Sequence, residues 1–302
     1  MSPSLRELFA QNRPILYDGA TGTFLQQLGL PPGVVPEAWV LENAAMVYLA
    51  AEAYVQAGAQ IILTCTFGAT AFRLIGAGYQ AQSAEINRHA AQLAKEAAHT
   101  NALVAGDIGP LGYLALSLGT ITYAEAIAEF AAQAHALAAG GVDLFQIESM
   151  SDVQEMRAAI IGVRQVSELP IFVTLSFDSS GKTLLGLTPA QAAQELASWH
   201  VDAIGANCGK GPWEMPGIIG ELRSVLADAP LIAKPNAGAP ERRAEGIVYP
   251  VDPLTFATHA REWVRAGAKI VGGCCGTTPE YIAAIRTALD KKSSDREQVI
   301  IS

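Results

Sequence analysis

The sequence predicts an α/β fold, a single closed (β/α)8 TIM barrel over residues 1–290, followed by a short C-terminal tail, 291–302. Three observations carry this. Short apolar runs recur along the chain, beginning near Pro14, Ala59, Ala102, Val142, Pro170, Val201, Pro230 and Ala268. Amphipathic stretches of helical length separate most of them, as expected of βα units around a parallel sheet. A count of eight is the number that closes a barrel, whereas a doubly wound open sheet usually has fewer strands and gives no reason for eight.

The elements follow in order. The stretch from Glu42 to Ala57 has the helical period and stops at Gly58, and Ser83 to His99 is similar. Tyr123 to Ala139 stops at Gly140-Gly141, and Ser151 to Val166 follows the fourth run. Thr188-Pro189, Asp252-Pro253 and Thr278-Pro279 each place a capping residue before a proline at the first helical position. Gly267 closes the helix that begins at Pro253 and leads into the eighth run. No linker splits the chain. Gly238 to Tyr249 reads as an excursion after strand seven, and Lys291 to Ser302 as a loosely held tail.

Composition narrows the function. Half of the 302 residues are hydrophobic, enough for a large core, and the formal net charge is −9. That charge argues against nucleic acid and anionic membrane surfaces as partners. No apolar run approaches the roughly 20 residues that span a bilayer, and no N-terminal segment has the make-up of a signal peptide. A soluble, cytoplasmic protein is expected. In a reducing compartment its four cysteines, Cys65, Cys208, Cys274 and Cys275, read as metal ligands or buried thiols before disulfides.

In such a barrel the site lies at the C-terminal ends of the strands. The strand ends are then Asp18, Thr64-Cys65-Thr66, Asp107, Glu148, Ser176, Asn207-Cys208, Asn236 and Cys274-Cys275, which puts every cysteine on one rim. Adjacent residues on a regular strand point to opposite faces, so Cys274 and Cys275 can reach one ion only if the backbone bends. Gly272, Gly273 and Gly276 are expected to supply that freedom. With Cys208, three thiolates leave one position of a tetrahedral zinc open, which marks a catalytic rather than a structural site. Cys65, flanked by threonines as in a strand interior, is expected to be a buried thiol outside the metal shell.

Asp18 opens Asp18-Gly19-Ala20-Thr21-Gly22-Thr23, whose amides are suited to holding a carboxylate while Asp18 faces an ammonium; an ordinary glycine turn with a capping aspartate fits the spacing equally well. Glu148 is a second partner for an amine, or a structural bond to a neighbouring loop. Asp107 reads as fixing its own loop. Asn207 and Asn236 are ligand-orienting or turn residues, with the Asn236 amide oxygen a further candidate zinc ligand. The five histidines fall in or at the ends of helical segments and suggest no site.

These motifs, with Thr64-Cys65-Thr66-Phe67-Gly68-Ala69-Thr70, Gly106-Asp107-Ile108-Gly109-Pro110, Pro235-Asn236-Ala237-Gly238 and Gly272-Gly273-Cys274-Cys275-Gly276-Thr277-Thr278-Pro279, resemble the homocysteine S-methyltransferases over nearly the whole chain. The likeness is greatest to the homocysteine-binding barrel of cobalamin-dependent methionine synthase. The resemblance implies zinc held by Cys208, Cys274 and Cys275, with the homocysteine sulfur in the open position. It implies that Asp18 and Glu148 bind the homocysteine amine and that amides around Gly19 and Thr21 bind its carboxylate. Asn236 resembles the residue that occupies zinc when substrate is absent. The implied activity is methyl transfer to homocysteine, giving methionine.

Two departures from the family pattern bear on this. Cys65 stands where relatives of that synthase carry asparagine. The chain ends after the barrel, so the methyl donor is open: a small molecule or a separate corrinoid protein. An onium donor would call for aromatic faces, for which Tyr17, Phe67 and Tyr113 are candidates, with core packing their alternative role. The competing readings are methyl transfer to another thiol acceptor and a non-catalytic zinc- and homocysteine-binding barrel subunit. Oligomeric state is open, a homo-oligomer included.

Overall fold

The computed structural model describes residues 4–112, 115–243 and 246–298, with 291–298 described by backbone alone. Eight strands form the sheet: β1 (Ile15–Leu16), β2 (Ile61–Leu63), β3 (Leu103–Ile108), β4 (Leu144–Met150), β5 (Ile171–Leu175), β6 (Ala203–Cys208), β7 (Leu231–Pro235) and, after a hairpin of β8 (Glu241–Arg243) and β9 (Gly246–Val248), β10 (Ala268–Val271). Their order is β1-β10-β7-β6-β5-β4-β3-β2, and every neighbour pair is parallel. The two ends of this sheet meet through a parallel bridge between Tyr17 and Ile61, where the Asp18 amide donates to Ile61 O at 3.1 Å and the Gln60 amide to Leu16 O at 2.7 Å. The barrel expected from the alternation is therefore present, and each strand starts within two residues of its predicted run.

Two packing layers follow from the period-2 alternation of strand side chains. Ile15, Tyr17, Leu103, Ala105, Leu144, Phe172, Ile232 and Ile270 fill the barrel interior. Their strand neighbours Leu16, Val104, Phe145, Leu231, Ala233 and Val271 face the helices and join the larger core. The N-terminal mouth is closed by a helix that periodicity did not reveal, Leu5–Ala10, capped by a reciprocal Ser4–Glu7 box. Leu8 joins the interior cluster and Phe9 packs on Phe172 with ring centroids 6.0 Å apart. Six residues are too few to display an amphipathic period in sequence.

Several boundaries differ from expectation. The helix expected over Glu42–Ala57 is interrupted at Asn43 (φ −149°, ψ 53°), giving Trp39–Glu42 and Ala44–Ala57, which ends at Gly58 in the left-handed region (φ 106°). The last helix runs from Pro279 to Gln298, so most of the expected loose tail continues it. The excursion after β7 is the β8–β9 hairpin. Strand β4 does not end at Glu148 but bends there and continues to Met150, with a register irregularity between Ile147 and Met150 and Ser149 at φ 61°. Among the described residues no helix is long and apolar enough to cross a membrane.

Glu155, on the helix Val153–Val166, ties down the loop after β3 by accepting the Leu111 amide at 2.7 Å. Burial raises its carboxyl from 4.5 to about 7, against the Leu111 bond that favours the charged form. A carboxyl raised on folding contributes stability that is fully present below its unfolded pKa and lost as pH rises through the folded one. The chain should thus lose stability between about pH 5 and pH 7.5. Glu155→Gln should remove on the order of 2–3 kcal/mol of that loss, since a tenfold change in proton affinity is worth about 1.4 kcal/mol. Denaturant unfolding at a series of pH values checks this; parallel profiles for the two proteins would refute it.

Candidate functional site

Three sulfurs meet at the C-terminal rim. Cys208 closes β6, and Cys274 and Cys275 follow β10. Cys208 Sγ and Cys274 Sγ are 3.2 Å apart, and the three sulfurs all lie within 4.8 Å of one another. Cys208 adopts φ 63°, a left-handed conformation that non-glycine residues seldom take, and Gly209 continues at φ 77°. Strain of this kind persists where the surroundings over-determine it, as at functional sites. Here the Cys208 carbonyl accepts the Asn236 amide at 3.1 Å, which fixes the turn.

The bend between the paired cysteines has a different origin from the one expected. Of the three glycines, only Gly276 takes a positive φ (83°). Gly272 and Gly273 are there for space. A Cβ on Gly272 would sit 2.7 Å from Asp18 O and from Tyr17 Cβ, and one on Gly273 would sit 2.2 Å from Thr277 Oγ1. That close approach lets the loop be stitched to its neighbours: Gly273 N to Asp18 O (2.9 Å), Cys274 N to Pro235 O (2.9 Å), Ala237 N to Cys275 O (2.9 Å) and Gly276 N to Thr23 Oγ1 (3.1 Å). The Thr277 hydroxyl donates to Cys274 O at 2.7 Å.

Polar groups then surround the sulfurs. Asn207, fully buried, accepts the Ser149 amide at 2.8 Å and turns its Nδ2 toward Ser149 Oγ (2.7 Å) and toward Cys208 and Cys274 Sγ (3.6 Å each). The three thiols act on one another. Hydrogen bonds from Cys208 and Cys274 hold the Cys275 thiol down to about 3, and the Tyr249 hydroxyl lowers it further. The hydrogen bond with Cys208 pulls Cys274 down, but Cys275 and burial outweigh this and push Cys274 up to about 12. Donation to Cys274 and Cys275, with burial, raises Cys208 well above the usual thiol range.

A cavity of about 280 Å³ opens beside the sulfurs, lined among others by Gly19, Thr21, Phe67, Asp107, Glu148 and Lys234. The Ala20 amide donates to Thr277 O at 3.0 Å, while the Gly19 and Thr21 amides have no protein acceptor among the described residues. On the opposite wall Glu148 Oε2 meets Lys234 Nζ at 3.2 Å, and Lys234 Nζ lies 3.7 Å from Asp18 Oδ1. Asp18 is beneath the cavity wall, 1% exposed, with Oδ2 accepting the Leu63 amide at 2.6 Å and Oδ1 without a hydrogen-bond partner. Burial raises Asp18 to about 7 against the pull of Lys234. Burial also raises Glu148, again against Lys234, and raises Asp107 well above the usual carboxylate range with Glu148 adding to it. Burial works to deprotonate Lys234, but Glu148, Asp18 and Cys274 more than reverse it. This end of the cavity has an excess of acid over base, which suits an incoming ammonium.

Most of the predicted rim residues therefore converge. Asn236 does too, donating its Nδ2 to Gly209 O at 2.7 Å and keeping a buried Oδ1 without a partner. Cys65 does not join the sulfur group. It lies beyond the end of β2, not inside a strand, and is buried among Leu25, Trp39, Val40 and Ala69, where burial raises its thiol well above the usual range. Tyr17 is wholly buried with its ring against Lys234, Phe67 lines the cavity, and Tyr113 falls outside the described residues. Lys234, Ser149 and Tyr249 belong to the site without having been expected there. Lys234 was within reach: it stands two residues after the inward Ile232, so the strand period directs it into the barrel. Ser149 and Tyr249 act through a bend and a hairpin that carry no such period.

Fold and site together define a class, a parallel (β/α)8 barrel with a three-cysteine centre beside a charged rim cavity. The chain belongs to the homocysteine S-methyltransferase family, whose family model matches residues 15–289. It is 30% identical over 248 residues to the methionine synthase of Mycobacterium leprae (78% of this chain, 20% of that protein) and 30% identical over 258 residues to that of Mycobacterium tuberculosis (82% and 22%). The chain thus spans about a fifth of the length of these curated relatives. In structure it is similar to the metallated form of the homocysteine methyltransferase MmuM from Escherichia coli, with TM-score 0.80, 25% identity and coverage of 94% of this chain and 99% of that one.

If Asn207 orients two sulfurs of a metal centre, Asn207→Ala should weaken metal binding by roughly 10- to 100-fold, the usual cost of losing such a support. Cys65→Ala should leave affinity and stoichiometry unchanged. Competition titration with a chelating indicator reads both, and a loss of stoichiometry in Cys65→Ala would place that thiol in the shell.

Proposed function

We propose that the protein is a zinc-dependent homocysteine S-methyltransferase that converts homocysteine to methionine. The observation that carries this is the pairing of two chemistries around one cavity: a three-sulfur group, and free amides with acidic groups. An ω-thiol on an α-amino acid is complementary to both at once.

The donor set fits zinc. Tetrahedral zinc–sulfur bonds ask for sulfurs about 3.8 Å apart, and the three here lie within 4.8 Å. Three protein ligands would leave a position for an incoming sulfur, and Asn236 keeps a buried Oδ1 without a partner. Zinc held by Cys208, Cys274 and Cys275 supplies the Lewis acidity that lets a thiol, with an ordinary pKa near 8.5, react as thiolate at neutral pH. The MmuM structure in metallated form supports a metal in this family. Free cysteines suit a reducing, cytoplasmic setting.

The chain's own residues do the rest. The Gly19 and Thr21 amides receive the substrate carboxylate, and Glu148, backed by Asp18, receives its ammonium. These contacts orient the substrate with its sulfur toward the cysteines. Asn207 and Ser149 hold Cys208 and Cys274 in place. Phe67, Glu37 and Arg73 also line the cavity, through which a methyl donor would approach. The sulfur–methyl bond forms as the methyl's bond to its leaving group breaks, and the leaving group keeps the electron pair. No protein base is needed at the sulfur. Loss of the sulfur's charge on methylation weakens its hold and favours release. The donor is a small molecule or a separate corrinoid protein.

Purified protein should carry about one zinc per chain. With homocysteine and a donor panel (a methylated corrinoid, S-methylmethionine, S-adenosylmethionine and a betaine), methionine should form with at least one donor. Cys208→Ser should lower both zinc content and turnover, the latter by roughly 100-fold or more. Full metal content and full turnover in that variant would remove the assignment.

A further inference from the structure

One buried charge has no task in this mechanism. Lys234 is 1% exposed, yet it lines the cavity. Its Nζ is bounded on three sides: Glu148 Oε2 at 3.2 Å, Asp18 Oδ1 at 3.7 Å and the face of Tyr17, 4.1 Å from the ring centroid. A lysine is seldom wholly buried unless paired. This one lies on β7, between the inward Ile232 and the rim.

We propose that Lys234 is a positioning residue that draws Asp18 and Glu148 together and so builds the receptor for the substrate's ammonium. The proposal rests on the homocysteine reading. Two carboxylates this close repel, and either one would turn away or take up a proton without a cation between them. The Lys234 ammonium donates to Glu148 Oε2 at 3.2 Å and holds Asp18 Oδ1 at 3.7 Å by charge, so that both carboxylates are referred to one nitrogen. Asp18 does not line the cavity. Its influence reaches the substrate through Lys234 and through the field it adds. One lysine faces two carboxylates, so the group keeps a bias toward an incoming ammonium. Without Lys234 the geometry of that group is lost even where the sign of its charge survives.

Lys234 has a rival role, direct pairing with the substrate carboxylate, and the two are separable with truncated substrates. Calorimetric titration of the zinc-loaded protein with homocysteine, with 4-mercaptobutyrate (no ammonium) and with 3-mercaptopropylamine (no carboxylate) supplies the comparison. Lys234→Met should weaken homocysteine and 3-mercaptopropylamine by roughly tenfold or more, the scale of one charge-assisted contact, and 4-mercaptobutyrate by no more than about twofold. Zinc stoichiometry should be unchanged. With a turnover assay, KM for homocysteine should rise while kcat stays within about twofold. Equal weakening of all three thiols would mean that Lys234 only supports the barrel. Weakening confined to the two carboxylate-bearing thiols would mean that it binds the carboxylate; either result overturns the proposal. If Lys234→Met does not fold, Lys234→Gln carries the same comparison. Failure of the unsubstituted protein to bind any of the three thiols would instead sink the homocysteine reading, and this inference with it.

Discussion

Everything at the rim depends on bringing Cys208 and the adjacent pair Cys274-Cys275, more than 60 residues apart in the chain, to one point. Thiols have no reason to gather unaided, and gathering them strains Cys208 into a left-handed conformation. Backbone hydrogen bonds hold them there. The Cys274 amide is tied to Pro235, the Cys275 carbonyl to Ala237, the Cys208 carbonyl to Asn236 and Gly273 to Asp18. Three strand ends and the first βα loop are thus laced into one surface, and the side chains inherit their aim from it. The glycines at 272 and 273 matter because the lacing leaves no room for a Cβ.

The amino-acid end of the cavity obeys a different rule. It is a buried acidic group that is only part-neutralised, with Asp18, Glu148 and Asp107 all pushed toward the protonated form by burial. Such a group costs stability when left alone, and the cost returns as affinity for a cation of the right shape. In the proposed reaction, burial and charge imbalance here would do for the ammonium what the gathered cysteines would do for the sulfur.

The fold was legible in the sequence because a barrel repeats one pattern eight times. Apolar runs, capping residues and terminal glycines each marked an element, and the rule that sites lie at the C-terminal ends of strands gathered the rim residues without any contact being known. What was not legible had no period. The six-residue plug Leu5–Ala10, the break at Asn43 and the bend at Ser149 arise from tertiary packing. Glycine-rich spacing suggested backbone freedom at Gly272 and Gly273, where the cause is steric; sequence alone does not separate these two uses of glycine. Lys234 carried a readable signal in the alternation of β7, but a lysine in an apolar run is easily taken for a strand end.

Barrel closure also sets the order of events. Cys274 and Cys275 can stand beside Cys208 only after β10 has paired with β7, and their loop is pinned only after β1, more than 250 residues earlier, has joined β10. Contacts of such separation carry a large loop-closure entropy and form late. A partly folded chain therefore has three scattered thiols and no site. Any ion bound at the rim favours the closed barrel over every unclosed competitor, by an amount that grows with its free concentration. On the reading of the three cysteines as a metal centre, the strand that closes the barrel would also complete the ligand set, and a bound ion would act as a latch on the join between the two ends of the chain.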